Sequence, residues 1–202
     1  MRVLVTAPYR PWKENGRAYN EEELLALLYE TEAEALITEH DHVTATVINK
    51  NAHLQFIGVC RGTPSNVALE AASAHGIPVF YTPARNAQAV AELFIANVIT
   101  FLRRTLPAIQ WLKDRQWDHG AHTSYLQFKG NELAGKKIGM VGFGAIGQLI
   151  ARMVEHYPCR IAFYDPFVEA GAFPGYEKMN LEELFSTCDI VSINLPLTAD
   201  TK

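Results

Sequence analysis

The sequence has few cysteines, no excess of positive charge and no long apolar run. Cys60, Cys159 and Cys188 lie far apart and form no C-x-x-C pair, which argues against a disulfide framework and a zinc site. The net charge of −4 comes with no basic cluster, so nucleic acid is not an expected partner. No apolar stretch is long enough to cross a bilayer, and no signal peptide precedes the first strand pattern, so we expect a cytoplasmic protein.

Strand and helix patterns alternate through residues 1–83. Short apolar runs typical of buried strands are separated by helical segments, and the first helix follows Asn20, a favourable cap. This alternation predicts a doubly wound parallel sheet, in which ligands bind at the carboxyl ends of strands. The predicted strands cover residues 3–7, 35–38, 54–60 and 77–80, and the predicted helices begin at residues 21, 43 and 66.

A glycine-rich stretch in the second half of the chain carries the clearest signal. Residues 138–141 form an apolar run, and Gly142, Gly144 and Gly147 follow it as GxGxxG at the start of a helical pattern. Gly142 permits a tight turn, Gly144 lets a pyrophosphate approach the backbone, and Gly147 allows the helix to pack closely on the strand. The free amides of the helix N-terminus would face the phosphates.

Asp165 ends the next apolar run, where an acid can bond both hydroxyls of a ribose. A carboxylate there repels a 2′-phosphate, which favours NAD over NADP. The alternative is an ordinary βαβ turn in which Asp165 is a loop residue. The glycines, the preceding strand, the following helix and the acid together favour nucleotide binding.

The second domain opens with a long helix that Asn86 is expected to cap, followed by a helix from Pro107 and an irregular segment over 117–133. A Rossmann sheet normally has six strands in the order 3-2-1-4-5-6. Only three strands are predicted here, so we expect the central strand to lack one neighbour and to form an open edge. The predicted strands cover residues 137–141, 160–164 and 189–193.

Several histidine-containing or polar segments are predicted to be loops. The sequence His40-Asp41-His42 has the composition of metal ligands but no third ligand nearby, so we interpret it as a loop and predict no metal. His119 and His122 are assigned to a solvated loop, and residues 8–16 to another.

Three segments, in this order, resemble the D-isomer-specific 2-hydroxyacid dehydrogenases, the family of phosphoglycerate dehydrogenase. They are NVALEAASAHGIPVFYTPARNAQAVAEL from Asn66, ELAGKKIGMVGFGAIGQ from Glu132 and CDIVSINLPLTADTK from Cys188. The resemblance implies an α/β fold with a flavodoxin-like substrate domain over residues 1–83. Residues 84–202 would form the first half of an NAD-binding Rossmann domain, with both sheets parallel and doubly wound.

The resemblance also implies the reaction and its binding residues. Hydride would pass between nicotinamide and C2 of a 2-hydroxy or 2-keto acid. Besides the three glycines and Asp165, the matching cofactor positions are Ala145, Ile146, Leu195, Pro196 and Thr201. The positions that match the loop holding the substrate carboxylate are Arg61, Gly62 and Thr63.

The sequence departs from the family pattern in two places. Val59, Arg61 and Thr63 stand where the family commonly has an arginine and two spaced glycines, which leaves the substrate open and leaves Arg61 as a carboxylate partner or a surface residue. The catalytic arginine, glutamate and histidine follow the PLT segment in the family, so none is assigned here, and they are expected beyond Lys202. His75 and His156 are not substitutes.

We therefore expect this chain alone to be inactive, and expect the family's homodimer. The alternative is a non-catalytic nucleotide-binding or regulatory protein of the same fold.

Overall fold

The computed structural model describes residues 1–117, 121–196 and 201. The chain forms two compact units, Met1–Arg85 and Asn86–Lys202. Each unit contains a four-stranded parallel sheet with helices between the strands, which confirms the predicted α/β fold class. In the described residues, no helix is both long enough and apolar enough to cross a membrane.

The strands of the first unit lie side by side in the order in which they occur along the chain. All neighbouring pairs are parallel, so the four carboxyl ends share one edge. Leu4, Leu36 and Ile57 point into one core, whereas Val3 and Val5 on the first strand stay exposed. The strands are β1 (Val3–Val5), β2 (Ala35–Thr38), β3 (Phe56–Val59) and β4 (Val79–Tyr81).

Four helices connect the strands of the first unit. They are α1 (Arg10–Asn15), α2 (Glu21–Thr31), α3 (Ala45–Lys50) and α4 (Leu69–Ala74). Asn20 caps α2 as predicted, because its side chain accepts the Glu23 amide while the Glu23 carboxylate accepts the Asn20 amide. The last three helices contribute to the same core beside the sheet.

Three predictions for this unit are wrong in detail, the first being that of α3, which begins at Ala45 and not at residue 43. The predicted loop over 8–16 contains α1, which has Pro11 in its first turn and ends at Gly16 in a left-handed conformation, a combination that favours a short helix. Helix α4 begins at Leu69 and not at Asn66. The reason is that Val67 pairs with Val43 in a β-bridge, and the Ala68 amide donates to the Val43 carbonyl. The backbone of residues 67 and 68 therefore makes these hydrogen bonds instead of helical ones.

The second unit has its strands in the order β7-β6-β5-β8. Strand β5 pairs on one side with β6 and on the other with β8, so the expectation that the central strand lacks a neighbour is wrong. The chain crosses to the opposite side of β5 before β8, and a short unpredicted strand, β7, extends the other side. The strands are β5 (Lys137–Val141), β6 (Arg160–Tyr164), β7 (Glu177–Lys178) and β8 (Ile190–Ile193).

The helices of the second unit are α5 (Ala87–Leu102), α6 (Thr105–Lys113), α7 (Ala121–Gln127), α8 (Ala145–Val154) and α9 (Leu181–Thr187). Helices α5 and α8 share a core with Ile138 and Met140 of β5, whereas Leu184 of α9 packs on the opposite face, against Gly139. Helices therefore cover both faces of this sheet, as in a doubly wound fold.

Three expectations need correction here. Helix α7 lies within the segment predicted to be irregular, and α6 begins at Thr105, two residues before Pro107. Asn86 precedes α5, but its side chain makes no capping hydrogen bond. Of the two histidines assigned to this segment, His119 lies outside the described residues, and the side chain of His122 is not described.

Candidate cofactor site

The predicted cofactor residues converge at one edge of the second sheet. Strands β5, β6 and β8 are adjacent and parallel, so their carboxyl ends meet at the same edge. The strand order reverses at β5, and a crevice at such a reversal is where open α/β sheets bind ligands. The glycine loop follows β5, Asp165 follows β6, and Leu195 comes shortly after β8.

The three glycines occupy different environments, which agree with the roles assigned to them. Gly142 has φ +88°, and a Cβ there would lie 2.6 Å from Leu195 Cδ2. A Cβ on Gly147 would lie 2.4 Å from the Gly142 carbonyl oxygen, so the start of α8 needs glycine to approach the loop. A Cβ on Gly144 would meet no atom within 4 Å. The open space beside Gly144 is where a phosphate fits.

Helix α8 presents unpaired backbone donors at this open space. Gly144 is its N-terminal cap and makes no side-chain capping bond. Among the described residues, none accepts a hydrogen bond from the amides of Gly144, Ala145 or Ile146. Free amides at the start of a helix, with its positive dipole end, form an anion site.

Asp165 is buried, with 8% of its surface exposed, and its carboxylate contacts the glycine loop directly. One carboxylate oxygen accepts the Phe143 amide at 2.8 Å, and the other accepts the Phe167 amide at 2.9 Å. Each carboxylate oxygen can accept more than one hydrogen bond, so both remain available to ribose hydroxyls. The side chain is therefore held in place by the protein and still has acceptor capacity for a ligand.

Phe143 and Gln148 also belong to this site, although sequence reasoning did not select them. The Phe143 ring is fully buried and stacks on Phe163 with centroids 4.2 Å apart, and its carbonyl accepts Gln148 Nε2 at 2.7 Å. The position of Phe143, an aromatic residue between two loop glycines, was a sequence signal that could have identified it. No sequence pattern distinguishes Gln148 from a solvated helix residue.

The remaining cofactor positions lie after β8. Leu195 packs against Gly142, and Pro196 is exposed, with its carbonyl accepting the Thr201 hydroxyl at 2.7 Å. The structure thus brings Leu195 to the glycine loop and ties Thr201 to Pro196.

The predicted substrate loop lies in the first unit, at the carboxyl end of β3. The Arg61 carbonyl accepts the Thr82 amide at 2.9 Å, while Gly62 and Thr63 are exposed. Among the described residues, none accepts from the Gly62 or Thr63 amides, and no acidic group lies within 4.0 Å of the Arg61 guanidinium. Pro64, which follows, has no amide hydrogen to donate.

Asp41 is buried near this loop, and its main chain, not its carboxylate, contacts Asn66 at the end of the loop. Its side chain is 1% exposed and accepts the hydroxyls of Thr6 and Thr38 and the Tyr19 amide at 3.0 Å. Its main-chain carbonyl accepts Asn66 Nδ2 at 3.0 Å. The His40-Asp41-His42 segment is a loop, as predicted, and its carboxylate is occupied by internal donors.

Two of the cysteines are poor nucleophiles in this environment. Burial raises the pKa of the Cys159 thiol and of the Cys188 thiol, which disfavours the reactive thiolate. All three cysteines are free thiols. Their chemistry therefore adds nothing to the site.

Residues 95–202 match the sequence profile of the D-isomer specific 2-hydroxyacid dehydrogenase, NAD binding domain, and make up more than half of the chain. The chain belongs to the D-isomer specific 2-hydroxyacid dehydrogenase family. The resemblance inferred from the three sequence segments is confirmed, and so is NAD as the cofactor of the matched domain.

Relatives of this family align along the chain. YoaD of Bacillus subtilis, whose name assigns it to the 2-hydroxyacid dehydrogenases, is 53% identical over the whole chain, which spans 63% of YoaD. D-3-phosphoglycerate dehydrogenase of Rattus norvegicus is 33% identical over 90% of the chain and 33% of the rat protein. The crystal structure of the TT0316 protein from Thermus thermophilus superposes with a TM-score of 0.83 at 29% identity, covering all of this chain and 67% of that one.

Proposed function

We propose that this chain supplies the substrate-binding and NAD-binding parts of a D-2-hydroxyacid dehydrogenase, which transfers hydride between nicotinamide and C2 of a 2-hydroxy or 2-keto acid. The observation that carries the proposal is the glycine loop. Its open space beside Gly144, its free amides and the held carboxylate of Asp165 meet at a reversal of strand order. The bound cofactor would supply the hydride chemistry.

Each group at the cofactor site has a proposed role. The amides of Gly144, Ala145 and Ile146 bind the pyrophosphate, and Asp165 accepts from the ribose hydroxyls. Leu195 and Pro196 flank the adenosine, and Thr201 provides a polar contact next to them. The carboxylate of Asp165 disfavours the 2′-phosphate of NADP through like-charge repulsion.

The Arg61–Thr63 segment is the proposed site for the carboxylate of the acid. The amides of Gly62 and Thr63 have no acceptor among the described residues, and the Arg61 guanidinium has no acidic partner there. A guanidinium and adjacent amides together suit a carboxylate. Residues 1–83 are accordingly proposed as the substrate domain.

Ligand binding and catalytic turnover are considered separately for this chain. The family's catalytic arginine, glutamate and histidine have no assigned counterparts among the 202 residues. His75 lies at the end of α4, bonded to Asn49, and His156 is exposed in the turn after α8. We therefore propose that the 202-residue chain binds NAD and the acid without catalysing hydride transfer. A regulatory nucleotide-binding protein of this fold is the alternative.

The test of the cofactor site is calorimetric titration of NAD into the wild-type chain and into Gly144→Ala. A methyl group at Gly144 meets no protein atom but occupies the space proposed for phosphate. We expect the affinity for NAD to fall at least tenfold, about 1.4 kcal/mol, with an unchanged free energy of unfolding. Gly62→Ala is the matched control, because a Cβ there also meets nothing within 4 Å. Equal NAD affinity in all three proteins would contradict the assignment.

The acid site is tested with pyruvate, the probe, and Arg61→Met. We expect pyruvate affinity to fall about tenfold, since a charge-assisted hydrogen bond contributes roughly 1.5–3 kcal/mol. Arg61→Lys, which keeps the charge but loses the planar fork, should give an intermediate affinity. Pyruvate binding that ignores both changes would make Arg61 a surface residue.

A homodimer is proposed to form through an exposed apolar surface on α5, α6 and α7. Its side chains are Leu93, Phe101, Leu106, Ile109, Leu112, Tyr125 and Leu126, all exposed. An apolar surface of this kind favours burial against a second copy. Sedimentation of the wild type and of Leu106→Glu should show a dimer and a monomer. A cytoplasmic location is likewise proposed, in keeping with three free thiols.

A further inference from the structure

Phe143 is held through its ring, its amide and its carbonyl by groups on both sides of the glycine loop. The Phe143 ring is anchored in an aromatic cluster with Phe163, Phe173 and Tyr176. The Phe143 amide donates to Asp165, and the Phe143 carbonyl accepts Gln148 Nε2 at 2.7 Å. The side chain of a residue inside α8 therefore contacts the backbone of the loop that precedes the helix.

The hydrogen bond between Gln148 and the Phe143 carbonyl determines the direction in which the Gly144 N–H points. In a trans peptide the carbonyl and the following N–H point to opposite sides of the chain. The Phe143–Gly144 peptide is trans, so binding the Phe143 carbonyl to Gln148 directs the Gly144 N–H away from the Gln148 side chain. None of the described residues accepts from that N–H. It is directed away from the helix side chain and left free for a ligand.

The loop needs such a restraint because glycines flank Phe143 on both sides. Gly142 and Gly144 have no Cβ, and their backbone dihedrals are the least restricted by sterics. Without a partner on the Phe143 carbonyl, the Phe143–Gly144 peptide can rotate about the bonds to the Phe143 and Gly144 Cα atoms while the Phe143 ring stays in its cluster. Rotation would turn the Gly144 N–H away from its binding direction.

We propose that Gln148 is a positioning residue for the cofactor: its side-chain amide holds the Phe143 carbonyl so that the Gly144 N–H faces the pyrophosphate. The inference rests on the proposed cofactor site at Gly144. Gln148 itself touches neither cofactor nor substrate. Its side chain must donate a hydrogen bond, and its shape alone does not suffice.

The experiment compares Gln148→Met with Gln148→Lys in the full 202-residue chain. Methionine has a similar length but cannot donate, whereas lysine has a similar length and donates. We expect Gln148→Met to lower NAD affinity about fivefold, the effect of one lost hydrogen bond. Gln148→Lys should bind NAD at least as tightly as the wild type. Gln110→Met is the matched control, because Gln110 bonds only Asp114 on the exposed side of α6.

A second ligand separates positioning from a general structural role. Adenosine lacks the pyrophosphate, so its affinity should be the same in the wild type and in Gln148→Met. Equal losses for NAD and adenosine, or NAD binding by Gln148→Met equal to that of the wild type, would overturn the inference while leaving the cofactor site intact. A wild-type chain that does not bind NAD would overturn the cofactor site and the inference together.

Discussion

Each unit has a buried aspartate at the carboxyl edge of its sheet, but the two carboxylates differ in how much of their hydrogen-bonding capacity internal donors already use. Asp41 in the first unit is 1% exposed and accepts two hydroxyls and one amide. Asp165 in the second unit is 8% exposed and accepts two amides. Acceptor capacity that internal donors do not use is available to a ligand. Asp41 is therefore a structural anchor, whereas Asp165 anchors the glycine loop and is also the proposed partner of the ribose hydroxyls.

The two sheets differ in a related way. The first sheet has its strands in sequential order, whereas the order of the second reverses at β5. At a reversal, the helices that follow two neighbouring strands lie on opposite faces, and a crevice opens between their N-termini. In the first unit, the Asp41 carboxylate and its hydrogen-bond donors lie at the carboxyl edge of the sheet. The exposed loop over residues 61–63 is therefore the part that is proposed to bind a ligand. Strand order thus decides which edge forms a crevice.

The largest expected effect on stability is that of Asp41→Ala. The change leaves the Thr38 hydroxyl and the Tyr19 amide without an acceptor in a buried site. We expect the free energy of unfolding, measured in urea, to fall by about 3 kcal/mol. Asp41→Asn keeps an oxygen for the Tyr19 amide and should cost about 1 kcal/mol. If alanine costs no more than asparagine, Asp41 is not an anchor.

Asp165→Ala should act mainly on the cofactor. We expect NAD affinity to fall about tenfold or more, because hydrogen bonds to a charged acceptor contribute roughly 1.5–3 kcal/mol. NADP affinity should change little, since removal of the carboxylate also removes its repulsion of the 2′-phosphate. Titration of both cofactors measures the preference. If the preference for NAD is unchanged and the loss of stability resembles that of Asp41→Ala, then Asp165 has the same purely structural role as Asp41.

The smallest effect is expected for Glu23, an exposed carboxylate with local partners. Hydrogen bonds from the Arg17 guanidinium and from the Asn20 amide lower the pKa of Glu23 to about 2. Because the folded pKa lies below the ordinary value of 4.5, the contribution of Glu23 to stability is present above pH 4.5 and is lost as the pH falls toward 2.

Thermal unfolding of wild type and Glu23→Gln should therefore differ most near neutral pH and converge near pH 2. Glu22→Gln removes a charge from the same helical turn. Because the Glu22 side chain has no hydrogen-bond partner among the described residues, this change should shift the unfolding midpoint less. A wild-type and Glu23→Gln difference that persists at pH 2 would contradict the assigned ion pair.

Several elements could be predicted because their signals are local. Residues 35–38, 137–141 and 160–164 form the strands that their apolar runs indicate, and Asn20 caps α2 through the Glu23 amide. The family and its cofactor also follow from contiguous motifs. Helix α1 was predicted to be a loop, although Pro11 and Gly16 mark its two ends.

The sequence by itself determined seven of the eight described strands, the cap of α2, the spacing of the glycines and the family. These follow from periodicity and from contacts between residues close in the chain. Only the tertiary structure decided that β8 lies beside β5, that the Asp41 carbonyl accepts the Asn66 side chain, and that Phe143 bonds both Asp165 and Gln148. Asp41 and Thr6 are 35 residues apart, and Phe143 and Asp165 are 22 apart. Such pairings depend on how the strands are ordered, and no local pattern encodes that order.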